Sequence, residues 1–218
     1  MIKVDNLKVK FNKDILKGIS FSVDKGEMIV ILGKSGSGKT TLLNALLGTL
    51  KYQGTIKVDS KAQIVFQNPQ ESLDPTMSIG KQLEEVKKHF HSSVDINHLL
   101  EKFSLDKEVL NKNVKEISLG QAQRVQIIRA LSANTEIILL DEGTSALDNI
   151  SQKEILKHID KINKEDKKTI LFVTHNIAIA KYLKARILLI EEGKLVYDGK
   201  DLDAPELKMY IDAMVDNW

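Results

Sequence analysis

The chain has 218 residues, of which 42% are hydrophobic and 28% charged, enough apolar material for one large domain or one domain with an insertion. It contains no cysteine, which excludes disulfides, thiolate metal sites and a cysteine nucleophile and suits a reducing compartment. The net charge of +2 is too small to argue for nucleic acid, the N-terminus "MIKVDNLKVKF" lacks a basic stretch followed by an apolar h-region, and no apolar run approaches the ~20 residues that span a bilayer, so a membrane role is expected to be peripheral.

In chain order, the alternation of "IKVDNLKVKF" and "ISFSVD" predicts paired strands, and Gly26 marks a turn before a short buried strand, "MIVIL". A helical run, "TTLLNALLGTL", follows, and then two segments, "GTIKVD" and "AQIVFQ", expected to resume a central sheet. Residues 68–77 hold two of the three prolines and read as loop, whereas residues 78–117 read as mostly amphipathic helix with a Lys- and Glu-rich exposed side. Helix and strand then alternate: a helix from Gln121, "EIILLD", a helix from about Asn149 to Asn163, "TILFVTH", a short helix, "RILLIEE", "KLVYDG" and an acidic helix ending at Trp218. The pattern predicts an α/β chain with a mostly parallel sheet covered by helices and a helical insertion.

Residues Gly33 to Thr40, "GKSGSGKT", have the spacing of a phosphate-binding P-loop between a strand and a helix. Glycines let successive backbone N–H groups of Gly33, Lys34, Ser35, Gly36, Ser37 and Gly38 curl towards phosphates, and the helix dipole, with Thr41 in its first turn, adds to the attraction. Lys39 would reach the outer phosphates and the Thr40 hydroxyl would ligate Mg²⁺. "EIILLDE" delivers Asp141 to the end of an apolar strand, where it can hold Mg²⁺, with Glu142 beside it as general base towards water. "VTHN" places His175 at the end of another apolar strand, while His89, His91, His98 and His158 lie in charged helical stretches and read as surface residues. Residues 163–166, "NKED", imitate the guanine-reading motif of GTPases, but they follow a helix inside a Lys-rich run and no DxxG switch occurs.

A P-loop, an apolar strand ending in Asp-Glu, and "ISLGQ" about twenty residues upstream together resemble the ATP-binding cassette (ABC) ATPases over nearly the whole chain. The resemblance implies a P-loop NTPase core with a mostly parallel central sheet, an N-terminal antiparallel β subdomain and an inserted α-helical subdomain: residues 1–68 and 132–218 as core, 69–131 as the helical part. It implies ATP and Mg²⁺ as cofactors and a second ATPase subunit as partner, identical or different. Ile117, Ser118, Leu119, Gly120 and Gln121 match the signature LSGGQ, which contacts the γ-phosphate held by the opposite subunit. Gln67 matches the glutamine that senses Mg²⁺, Ser145 to Asp148 the D-loop across the dimer interface, His175 the switch histidine, and Phe11 the aromatic that stacks on adenine. Phe11 reads equally as a core strand residue. Leu119 stands where the family has Gly, and Gly143 where it has Pro.

Such a cassette is expected at the cytoplasmic face of a membrane, bound to permease subunits through the region after Gln67, served indirectly by an extracellular substrate-binding protein and not bound to nucleic acid. Phe66, Gln67, Pro69, Ser72, Leu73 and Pro75 resemble the "FQDP…SLNP" segment of the dipeptide, oligopeptide and nickel importers, although those ATPases usually run longer at the C-terminus. The alternatives are a soluble cassette acting on DNA or ribosomes and, further off, a small-molecule kinase.

Overall fold

The computed structural model describes residues 1–142 and 149–215. In chain order it runs β1 (Ile2–Lys10), β2 (Asp14–Val23), β3 (Met28–Leu32), α1 (Lys39–Leu46), β4 (Gln53–Val58), β5 (Ala62–Val65), α2 (Pro69–Ser72), α3 (Ile79–Phe90) and α4 (Ile96–Lys102). After 3-10 turns at Lys107–Asn111 and Val114–Glu116 come α5 (Leu119–Ser132), β6 (Ile137–Asp141), α6 (Asn149–Glu165), β7 (Thr169–Val173), α7 (Ile177–Leu183), β8 (Arg186–Glu191), β9 (Lys194–Gly199) and α8 (Pro205–Val215). The chain divides into two compact units, residues 1–60 with 169–218 and residues 61–168.

In the first unit β1 lies between β2 and β4, antiparallel to both. Its alternating residues Ile2, Val4, Leu7 and Val9 are buried, as one-sided strands require. β3 lies parallel between β7 and β8, with β9 antiparallel on β8. β3 and β7 are buried at every position, so both read as continuous apolar runs. "GTIKVD" departs from expectation, since β4 pairs with β1 and belongs to the antiparallel sheet. Its residues alternate between exposed and half-buried, the pattern of a strand with one wet face.

Arg186 secures this unit around β3. Its guanidinium meets Asp198 on β9 through Nε at 2.5 Å and Nη2 at 2.7 Å, and Glu27, just before β3, through Nη1 at 3.2 Å. Asp198 and then Glu27 hold that charge well above even the usual arginine range. The bidentate fork ties the start of the strand that feeds the P-loop to the sheet edge.

In the second unit β5 and β6 pair in parallel. Residues 68–77 are not wholly loop: Asn68 accepts a hydrogen bond from Gln70 N at 3.1 Å and Pro69 opens the single turn of α2. The 78–117 stretch is helix in α3 and α4, broken by His91 and Ser104, both at positive φ. α5 starts two residues earlier than expected because Ser118 caps it. His158 is half-buried, not a surface residue, with its ring 4.7 Å from the buried Phe103.

Burial, followed by the charge of Arg124, pulls the His158 pKa below its ordinary 6.5; Glu154 opposes the shift and Lys102 and Lys161 reinforce it. The unfolded chain therefore binds a proton here more readily than the folded one, so stability is full above pH 6.5 and falls as pH drops below it. Urea denaturation from about pH 8 to about pH 5 should show that decline, and His158→Gln should flatten it.

Candidate active site

The P-loop follows β3 without a break. Gly33, Gly36 and Gly38 all have positive φ, at 156°, 77° and 107°, which lets the chain reverse tightly between strand and helix. At Gly33 a Cβ would collide with the Ile190 carbonyl oxygen and lie 2.5 Å from Ser37 Oγ, whereas at Gly36 it would meet nothing within 4 Å. One glycine is thus demanded by packing and the other faces open space. Lys39 is buried and its Nζ donates to the carbonyls of Gly33 at 2.8 Å and Lys34 at 2.9 Å, which fixes the ammonium across the loop. Gly38, the N-cap of α1, offers no side-chain acceptor, and Ser37 Oγ is buried with no hydrogen-bond partner. An anion at this helix start would satisfy N–H groups that the chain leaves without a side-chain cap, so the loop fits a nucleotide phosphate.

Thr40 and Thr41 occupy the first turn of α1, with Thr40 exposed and Thr41 half-buried. In the other unit Asp141 ends β6 and is 6% exposed. Glu142 follows at φ 47°, a left-handed backbone uncommon for a residue with a side chain and typical of strained functional turns. Gln67 Nε2 donates to Glu142 Oε2 at 3.1 Å, which orients the carboxylate and leaves Gln67 Oε1 to accept or ligate. Thr40, Asp141 and Gln67 offer hard oxygen donors, the chemistry suited to Mg²⁺. Among the described residues no cluster of three His, Cys, Asp or Glu could hold a metal, so such an ion would need ligands beyond side chains of these types.

Ser118 and Gln121 form a capping box at the start of α5: Ser118 Oγ accepts from Gln121 N at 3.2 Å and Gln121 Oε1 accepts from Ser118 N at 2.9 Å. The serine hydroxyl keeps its hydrogen to donate outward. Leu119 is 37% exposed in the first turn, a position that needs no glycine backbone, and half-buried Gly120 follows. The opening residues of "ISLGQ" are therefore a helix cap that can also meet an anion.

Phe11 lies in the turn between β1 and β2 and is 61% exposed, which removes the core-strand reading and frees the ring for stacking. His175 is exposed after β7, and Tyr210 on α8 donates to its carbonyl at 3.0 Å. In the "NKED" imitation Asn163 donates to Lys168 O and Asp166 pairs with Lys102. Asp148 and its D-loop neighbours, Gly143 and Trp218 lie outside the described residues. Sequence reasoning missed Gln126 and Arg129 on α5, both of which reach Ser72. The missed signal was a glutamine at a fully buried position of an otherwise apolar helical rhythm.

The sequence profile of the ABC transporter family matches residues 16–145. The chain is 33% identical to the tyrosine transport ATP-binding protein of Clostridioides difficile over 95% of each chain, and 31% identical to the oligopeptide transport ATP-binding protein OppF of Streptococcus mutans over 91% of this chain and 74% of the relative. Among solved structures, the ATP-binding cassette MJ0796, a dimer in a post-hydrolysis state bound to ADP and Pi, superimposes with a TM-score of 0.80 at 28% identity, covering 91% of this chain and 97% of the other. CbiO1 from Clostridium perfringens, part of the cbiONQ transporter complex, gives 0.80 at 25% identity over 99% and 94%. The chain belongs to the ABC transporter family and is an ATP-binding, ATP-hydrolysing cassette with that family's α/β P-loop fold.

The two loop glycines should separate by experiment. Gly36→Ala should weaken ATP binding by more than about tenfold while costing only about 1–2 kcal/mol of folding free energy, because its Cβ enters open space at the loop. Gly33→Ala should lose substantially more stability, read by urea denaturation beside fluorescent-nucleotide binding.

Proposed function

We propose that this cassette is the motor subunit of a membrane importer, working as one of a pair of ATPase subunits at the cytoplasmic face and docked on permease subunits. The observation that carries this reading is the presence of two differently finished helix starts in one chain. The start of α1, without a side-chain cap, receives phosphates, and the capped start of α5 offers Ser118 Oγ–H, the helix dipole and Gly120 to the γ-phosphate of a nucleotide on the other subunit. Residues 69–131 act as the helical subdomain that presents this signature, and residues 1–68 and 132–218 as the core, with Asp148 at the subunit boundary.

Phe11 stacks on adenine, the backbone from Gly33 to Gly38 with Lys39 and Thr41 holds the phosphates, and Glu142 draws the proton from attacking water. Gln67 orients Glu142, and His175 contacts the terminal phosphate. Mg²⁺, held by Thr40, Asp141 and Gln67, would supply charge neutralisation on the phosphate oxygens. Loss of the γ-phosphate contacts opens the pair, and that movement drives transport.

The cargo we assign is a peptide, nickel or a metal chelate. Support comes from the segment Phe66 to Pro75, from the likeness to an oligopeptide transport protein, and from α2, the short capped turn that this segment builds. No helix among the described residues is long and apolar enough to cross a membrane.

Glu142→Gln should reduce ATP turnover by roughly a hundredfold or more while leaving ATP affinity within about threefold, measured by phosphate release and nucleotide titration. Equal turnover in the two proteins would refute the assignment of the base. Recovery of export-type permeases alone from native membranes would refute import, and salt-sensitive RNA or DNA binding by a protein absent from membrane fractions would favour the soluble alternative.

A further inference from the structure

Gln126 is fully buried on α5, and its Oε1 has no hydrogen-bond partner. The other end of the amide donates through Nε2 to Ser72 Oγ at 2.5 Å. Ser72 gives its own hydroxyl hydrogen to the Pro69 carbonyl at 3.2 Å, so towards Gln126 it can only accept, which fixes the orientation of the amide. One turn further along α5, Arg129 Nη1 donates to the Ser72 carbonyl at 2.7 Å. Arg129 is half-buried, burial pulls its pKa below the usual arginine value, and among the described residues no carboxylate pairs with it. An orphaned carbonyl and an uncompensated guanidinium both weaken the fold, and a leucine of similar size at position 126 would leave neither end of an amide to satisfy. Both polar groups converge on a single residue, Ser72.

Ser72 ends α2, the turn capped by Asn68 and closed by Leu73 N donating to Pro69 O at 3.1 Å. Gln67 immediately precedes that cap and donates to Glu142. A short, hydrogen-bonded path therefore runs from α5, whose first turn carries Ser118, through Ser72 and α2 to Gln67 and the candidate base.

We propose that Gln126 and Arg129 are positioning residues that clasp Ser72, so that movement of the signature helix is passed through α2 to Gln67 and sets Glu142 for water activation. The roles of Gln67 and Glu142 rest on the function proposed above; the clasp itself rests on the hydrogen bonds alone.

The test is Gln126→Leu in the full chain, read by hydrogen exchange without nucleotide, by thermal melting and by steady-state turnover. The melting temperature should stay the same or rise, while exchange at Gln70 and Leu73, the amides held by the α2 turn, should accelerate at least about fivefold. The kcat should fall roughly tenfold with little change in KM for ATP, and Gln126→Leu should cause no further loss in a Gln67→Ala background. Unchanged exchange at those amides would overturn the clasp. Faster exchange with unchanged kcat, or a loss that simply adds to that of Gln67→Ala, would overturn its positioning role. Because exchange is read without nucleotide, it decides the clasp even if the unsubstituted protein hydrolyses no ATP, a result that would instead count against the functional reading.

Discussion

The backbone N–H groups at a helix start have no partner inside the helix and must find an acceptor elsewhere. In this chain α2, α3, α4, α5 and α7 each begin at a residue, Asn68, Ser78, Asp95, Ser118 and Asn176 respectively, whose side chain accepts from the first turn. α1 begins at Gly38 and has no such acceptor. An entropically costly glycine at that point makes sense when the acceptor is supplied by the substrate, and the surrounding structure holds the point in place. The Cβ-excluding contact at Gly33 sets the loop against β8, and Arg186 ties the start of β3 to β9. Fixed N–H groups and a fixed ammonium cost little to reorganise when charge arrives, which is the basis of electrostatic preorganisation.

The second unit arranges its chemistry differently. Glu142 is held at a left-handed backbone angle at the end of a fully buried strand, and its carboxylate is engaged by Gln67. Strain of this kind persists where neighbours over-determine the geometry. Here the neighbour is Gln67, which immediately precedes the cap of the one-turn helix α2, itself gripped from α5 at Ser72. The P-loop and the candidate base Glu142 are thus built by separate stretches of chain, and the capped start of α5 lies in the same stretch as Glu142.

Much of this was legible in the sequence because the signals are local. The P-loop announces itself by glycine spacing between a strand and a helix, and both buried parallel strands and their terminal Asp-Glu and Thr-His residues follow from apolar runs of the right length. Ser118 and Gln121 were recognisable as anion-suited residues, but their reciprocal bonds moved the helix start back to Leu119. What failed was non-local. "GTIKVD" could not reveal its partner, because pairing with β1 is decided by which face is wet. One miss was local: the single turn of α2 after Asn68 was masked by proline, which breaks a helix interior yet opens a helix well. His158 sits among charged residues in sequence and against Phe103 in space. Gln126 carries no signal in the helical rhythm of its own segment, because its partner Ser72 lies more than fifty residues away in sequence.

The most direct test of the account is light scattering on Glu142→Gln protein with and without Mg·ATP, because blocked hydrolysis should trap the paired state. The mass should double only with nucleotide where the chain pairs with itself, and a Ser118→Arg companion variant should still bind ATP yet stay monomeric. ATP binding with no nucleotide-dependent change in mass would make the second subunit a different chain, whereas loss of ATP binding by the monomer when Ser118 is replaced would contradict the claim that one chain carries two complementary halves of the phosphate site.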